Sequence, residues 1–352
     1  MSIFISIFIF LIIFSVIVTA HELGHFAVAR RNGIRAREFD IGMGPTLLHR
    51  PFGETDFCIK AFPLGGACIF DGMPGMAEDG EEPDERSFAR AGVGARIATV
   101  LAGPAANFLI GYVLAVLIVT FSGTDLPVVH TVMDNSAASE AGIAARDRIT
   151  SINGRRIHLY REISLESMMN YGETMRIGIV RDGQKSTVTL TPRYDEEDGR
   201  YYIGLVGGEV MQCNAAQIFQ YAFYECEYWF RATWESIALI FRGHFSADDL
   251  SGPVGVVKVV DDTYNAARPY GIPTMVLSFM NLTLLLTINL GVMNLLPIPA
   301  LDGGRLLLYL IELIRRKPLS PEKEGMVTVA GALLLVALMV FVMFNDIAKF
   351  FR

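Results

Sequence analysis

The first ionisable side chains in the sequence are His21, Glu22 and His25, within the run HELGH. On a helix, residues four apart project from one face, one turn above the other, so both imidazoles can reach a single metal ion. Glu22 is offset by about 100° around the axis, close enough to meet a metal-bound water without being a ligand. This is the zincin pattern, and its chemistry is peptide hydrolysis. Zinc lowers the pKa of bound water to about 7 and polarises the scissile carbonyl. Glu22 would take the proton from that water and return it to the leaving amine.

A catalytic zinc site usually has three protein ligands and one open position, so two histidines leave one ligand to find. The run NLGVMNLLPIPALDGGRLL contains a single acid, Asp302, at the end of a long uncharged stretch. Asp302 is therefore the candidate third ligand. Two imidazoles and a carboxylate suit zinc better than the harder divalent ions. The four cysteines, Cys58, Cys68, Cys213 and Cys226, are scattered with no C-x-x-C pair, and read as free, buried thiols.

The elements that position these residues are membrane-length apolar runs. Four stretches lack charge for roughly 20 residues or more, the length a helix needs to cross the hydrocarbon core. They are Met1 to His21, Ile97 to Thr124, Pro269 to Leu301 and Gly325 to Asn345. The first has no basic leader segment and runs straight into HELGH, so it reads as a retained span rather than a signal peptide. Mean hydropathy of +0.39 and 52% hydrophobic residues agree with a multi-span membrane protein. The loop before the last span carries Arg305, Arg315, Arg316, Lys317 and Lys323, so it should be cytoplasmic. Four spans then place both termini and residues 125–268 outside, and HELGH and Asp302 together at the cytoplasmic end. Pro297 and Pro299 interrupt the third span just before Asp302, and a broken helix at membrane depth is tolerated where it lines a polar cavity.

Between the first two spans, DFCIKAFPLGGACIF reads as two extended runs about a Pro-Leu-Gly-Gly turn, a hairpin apolar enough to dip into the membrane. The acidic, Gly/Pro-rich segment after it reads as a solvated linker. From Leu126 to Val206 the composition becomes that of an α/β module. DRITSINGRRI gives a strand, an Asn-Gly turn and a strand, MRIGIVRDGQKSTVTLTP gives a hairpin about Asp182-Gly183, and YYIGL gives a last strand. Asn214 to Arg242 carries aromatics at helical spacing, as either an interfacial amphipathic helix or one packed on the module.

The order of the module resembles a circularly permuted bacterial PDZ domain, with Ala141-Gly142-Ile143 and Asp147 to Gly154 matching its pattern and Arg146 standing where that pattern has Gly. The whole chain resembles the site-2 protease family of intramembrane zinc metalloproteases. HELGH and NLLPIPALDGG (Asn294 to Gly304) carry the likeness. GMGP (Gly42 to Pro45), FPLGG (Phe62 to Gly66), AGPAANFLIG (Ala102 to Gly111) and LSGPVGVVKV (Leu250 to Val259) add to it. The resemblance implies His21, His25 and Asp302 as zinc ligands and Glu22 as the base. It also implies substrate contacts from Asn294, Asn107, Gly65 and Gly66, with the hairpin as a re-entrant element able to pair with an unwound substrate strand. Asn294 as a helix-packing residue and Gly103 as a close-packing residue remain open readings.

The implied architecture is an α-helical multi-span membrane protein with about four transmembrane helices, a membrane-associated β-hairpin and an inserted extracytoplasmic PDZ domain. Residues 1–124 and 269–352 would form the two membrane parts of the protease core, 125–208 the PDZ domain, and 209–268 an amphipathic helical region. The expected partners are single-span membrane proteins trimmed on their outer side, such as anti-sigma factors or remnant signal peptides, and the lipid of the inner (cytoplasmic) membrane. A peptide C-terminus could dock on the PDZ domain. Net charge of -7 with no basic stripe gives no footprint for nucleic acid. A catalytically silent receptor would have no need of Glu22, and a tethered soluble-type zincin would hold HELGH away from any span.

Overall fold

The computed structural model describes residues 3–73, 84–196, 199–242, 252–317 and 320–349. Residues 74–83 of the expected acidic linker and 250–251 of LSGPVG lie outside the described residues. The chain divides into two units, Met1–Tyr112 with Leu239–Arg352, and Val113–Ala238.

In the first unit, α1 (Ile3–Arg31) runs unbroken through HELGH. Its buried residues Ser6, Phe10, Ile13, Ile17, His21 and His25 follow the helical repeat of three and four, so one stripe holds both the packing contacts and the histidines. Arg30 and Arg31 complement the negative end of the helix dipole. Gly33, at φ +76, then takes the left-handed conformation that ends the helix, its N–H donating to the Arg30 carbonyl. Among the described residues, four helices are long and apolar enough to cross a membrane: α1, α2 (Val93–Ser122), α7 (Ile272–Asn294) and Lys323–Asp346 of α9 (Pro321–Lys349). The last third of α2 belongs to the second unit.

The expected hairpin takes a different form. β1 (Ala36–Phe52) and β2 (Thr55–Phe70) are antiparallel and reverse at Gly53–Glu54. The residues either side of Pro-Leu-Gly-Gly do not pair with each other. Asp40 pairs with both Ala67 and Cys58, and Phe39 with both Cys68 and Phe57, so residues 36–41 lie between 66–70 and 55–60. The cause is a bend in β1 at Gly42 and Gly44, both at φ +91. A Cβ on Gly42 would stand 2.5 Å from the Phe62 carbonyl oxygen, so only glycine permits this approach.

After α7 ends at Asn294 the chain is irregular to Leu301, and α8 (Asp302–Arg315) begins with the candidate ligand. This break uses tight contacts. A Cβ on Gly303 would be 2.2 Å from the Leu296 carbonyl oxygen, and one on Gly304 2.4 Å from that of Ile298. α8 is fixed by buried polar pairs, with Arg96 of α2 2.5 Å from Glu312 and the Tyr309 hydroxyl donating to Glu324 at 2.7 Å. α6 (Pro253–Ala267) starts where Asp346 accepts the N–H groups of Gly252 and Gly255, both at 2.9 Å.

The second unit contains a four-stranded antiparallel sheet in the order Arg155–Arg156, Arg148–Ile152, Met175–Arg181, Gln184–Leu190. Its two tight turns are the expected pairs, Asn153-Gly154 and Asp182-Gly183, all four residues at positive φ. Met175, Ile177 and Ile179 alternate inward onto Ile149 and Ile152. The short helix α3 (Ala137–Glu140), capped by Ser136, and α4 (Tyr160–Met169) complete the layer. Arg146, at φ +70, keeps the left-handed turn that glycine would make without strain.

α5 (Ala215–Arg242) lays one face on the module and leaves Phe219, Phe223 and Trp234 exposed. Within this unit it packs on the module, with Arg155 reaching Glu235 at 2.6 Å and Glu166 at 3.0 Å, and Arg161 reaching Glu225 at 3.0 Å. Arg231 pairs with Glu162 and Glu166, and Tyr224 stacks on His158 with ring centroids 3.8 Å apart.

Candidate active site

The continuous α1 brings His21 and His25 one turn apart, their rings perpendicular with centroids 4.7 Å apart. Their Nε2 atoms are separated by 3.1 Å. Asp302 Oδ2 lies 3.1 Å from the first and 3.2 Å from the second, completing a near-equilateral triangle. All three side chains are largely withdrawn from solvent, at 8%, 10% and 13% exposure.

This arrangement suits a cation at its centre. Three electron-rich atoms so close together repel unless something positive lies among them, and Asp302 Oδ2 is buried yet accepts no hydrogen bond among the described residues. Tetrahedral zinc with bonds of about 2.0–2.1 Å holds its ligands about 3.3–3.4 Å apart, within a few tenths of an ångström of the spacing here. The donor set and its geometry therefore fit zinc.

α2 supplies the wall behind the histidines. The Nδ1–H of His25 donates to the Thr99 carbonyl at 2.8 Å, which leaves its Nε2 lone pair free. The side-chain amide of Asn107 lies 3.2 Å from His21 Nδ1. Gly103 stands between these contacts, and a Cβ there would be 2.3 Å from His25 Nε2. The G of HELGH has a matching reason, since a Cβ on Gly24 would be 2.2 Å from the Ala102 carbonyl oxygen. Thr99, Gly103 and Asn107 are spaced by four along α2 and line one face, antiparallel to His25 and His21.

In front of the triangle is a cavity of about 310 Å³, lined by Glu22, Gly66, Cys68, Asn294 and Arg305 among others. Glu22 faces the strand at residues 66–70, its Cγ 3.3 Å from where a Gly66 Cβ would be. Asn294 Nδ2 lies 3.4 Å from His21 Nε2. Gly65, at φ +85, turns the chain against Met43 and does not line the cavity, and Asn107 is fully buried behind it.

The profile of Peptidase family M50 matches residues 9–338. The chain belongs to peptidase family M50. Among the relatives to which this M50 chain is similar, one from Clostridium acetobutylicum is 33% identical over 344 residues, 98% of each chain. The zinc metalloprotease RasP of Geobacillus kaustophilus is 32% identical over 423 residues, 98% of each chain. The regulator of sigma-W protease RasP of Bacillus subtilis is 30% identical over 421 residues, covering 97% of this chain and 98% of that one. A solved PDZ domain of an SdrC-like protein from Listeria monocytogenes is 22% identical, covering 24% of this chain and 87% of that chain, with a TM-score of 0.21.

Two features of the M50 site escape a reading of the sequence. Thr99 acts through its backbone, and its signal is the spacing of four that it shares with Gly103 and Asn107. Arg305, counted from sequence only as a topological charge, lies three residues after Asp302 on one helix face and so reaches the same cavity. A second group, Glu38, Asp40 and Cys58, also brings ligand-type atoms within 4.8 Å of one another. Lys60 already fills that role, its ammonium 2.7 Å from Glu38 and 3.2 Å from Asp40.

Proposed function

We propose that this M50 peptidase is a zinc-dependent intramembrane endopeptidase that cleaves single-span membrane proteins near the cytoplasmic face of the inner membrane. The observation that carries this reading is the triangle of His21 Nε2, His25 Nε2 and Asp302 Oδ2, open to a cavity containing Glu22. Zinc held by these three residues would supply a water nucleophile at neutral pH and polarise the scissile carbonyl. Glu22 takes the proton of the attacking water and passes it to the leaving nitrogen. Asn294, at the cavity wall, donates a hydrogen bond to the substrate backbone.

A transmembrane helix hides its peptide bonds, so the substrate must unwind, and its freed backbone groups then need partners. Residues 66–68 and Phe70 of β2 line the cavity beside Glu22 and offer such a partner by strand addition. The module of the second unit, read as an extracytoplasmic PDZ domain, has a cavity of about 440 Å³. Ile163, Ser167 and Met168 of α4 line it, together with Tyr202 to Leu205. It would accept the new C-terminus of a substrate trimmed on its outer side. The similarity to a regulator of sigma-W protease makes anti-sigma factors the first substrate class to test, with remnant signal peptides second.

The test is an immunoblot of a doubly tagged, pre-truncated single-span substrate co-expressed with wild type or Glu22→Gln. Cleavage by wild type alone is expected. Intact substrate with both proteins, at equal expression and across several substrates, would count against the protease reading.

A further inference from the structure

The Asn107 amide faces inward, away from any substrate. It is 0% exposed and sits behind the ligand triangle, with its Nδ2 placed 3.2 Å from His21 Nδ1. Oδ1, placed on the side away from His21, has no hydrogen-bond partner among the described residues, so nothing there holds the amide in that orientation and the contact with His21 decides which way it points. A half-turn about χ2 exchanges oxygen and nitrogen at almost no steric cost.

The ring sets the choice. His21 points Nε2 at Asp302 Oδ2 and His25 Nε2, so a metal-binding His21 has its lone pair there and its proton on Nδ1. A protonated Nδ1 needs an acceptor, and the only such group within reach on Asn107 is Oδ1. His25 has the same arrangement one turn along, with its Nδ1–H on the Thr99 carbonyl at 2.8 Å. With the amide turned to present Oδ1, Thr99 and Asn107 treat the two ligands alike, from one face of α2, with Gly103 between them leaving room for both rings.

We infer that Asn107 is a positioning residue: its Oδ1 accepts the Nδ1–H of His21, fixing the tautomer and ring orientation that present Nε2 to the metal. This rests on the reading of His21, His25 and Asp302 as zinc ligands. It differs from a substrate contact, and from a helix-packing role for the asparagine, in what substitutions do. Outer partners of this kind are generally worth 10–100-fold in metal affinity. Leucine matches the asparagine in size and cannot accept the proton. Aspartate accepts it better, but would be a buried, uncompensated charge if the residue only packed helices.

The experiment is competition for zinc between a fluorescent chelator and purified full-length protein in detergent, comparing wild type, Asn107→Leu, Asn107→Asp and His25→Ala. The expected result is zinc binding weakened about 10–100-fold in Asn107→Leu and restored to the wild-type level or better in Asn107→Asp. Substrate cleavage by Asn107→Leu should recover at excess zinc. Equal affinity for Asn107→Leu and wild type would overturn the inference, as would Asn107→Asp binding as weakly as Asn107→Leu. If Asn107→Leu fails to fold, the aspartate variant still decides, because packing and proton acceptance predict opposite results for it. Equal affinity for wild type and His25→Ala would show instead that the ligand assignment itself is wrong.

Discussion

Replacing Gly103 by alanine adds one methyl group to α2, and the structure has no space for it. The new Cβ would lie 2.3 Å from His25 Nε2, 2.5 Å from His25 Cε1 and 2.7 Å from His21 Cε1. Carbon in ordinary contact stands about 3.5 Å or more away, so something must move by about 1 Å. Either a ligand ring swings aside, or α1 and α2 separate. The second route opens the contact of Gly24 with the Ala102 carbonyl, and such repacking costs about 1–3 kcal/mol. The first removes a ligand from a site that tolerates distance errors of about 0.2 Å. Zinc affinity should therefore fall about 100-fold or more, which is about 2.8 kcal/mol, and cleavage should be lost with it. Chelator competition on Gly103→Ala, with thermal unfolding as the check on folding, measures both costs. A folded variant that bound zinc and cleaved substrate like wild type would refute the close approach of α2 to the ligands.

Two further outcomes concern the second unit, where both tryptophans of the chain, Trp229 and Trp234, lie on α5, so their fluorescence reports on this unit alone. Burial pushes Glu162 and Glu225 up to about 7 from an ordinary 4.5, with Arg231 and Arg161 opposing the shift and Glu227 and Asp125 adding to it. The folded state then binds more protons than the unfolded state between about pH 4.5 and pH 7, so stability falls as pH rises through that window. Tryptophan-detected melting should accordingly occur at a higher temperature at pH 6 than at pH 8, and a higher melting temperature at pH 8 would contradict the burial of these carboxyls. Arg146→Gly relieves a left-handed backbone at an exposed position. It should stabilise the unit by about 0.5–1 kcal/mol, the strain relieved less the extra chain entropy of glycine. An unchanged or lower urea midpoint would refute the strain.

That His21 and His25 stand side by side on α1 was legible because the periodicity of one helix fixes their relation, whatever surrounds it. That Asp302 joins them was legible for a different reason, as one acid at the end of a long uncharged run. Thr99 was not, because a backbone carbonyl leaves no mark on residue type, and the role of Asn107 depends on which helix faces α2. The β-sheet shows where local reading fails. The two runs beside Pro-Leu-Gly-Gly look like partners, but the bend at Gly42 and Gly44 brings residues 36–41 between them, and nothing near residue 64 signals that. α5 was similarly ambiguous, since the carboxylates that hold Arg155, Arg161 and Arg231 come from separate stretches of chain.

The triangle draws its atoms from the first and the last third of the chain, α1 and the start of α8. With the proposed ligand set, a growing polypeptide presents its two histidines early and has no complete metal site until Asp302 has been made and the Leu295–Leu301 break has folded behind it. A protease that works inside a bilayer is thereby inert while it is itself being inserted among other newly made spans. On that ligand set, a chain interrupted anywhere before Asp302 lacks a complete metal site, and the order of synthesis would act as a safety catch.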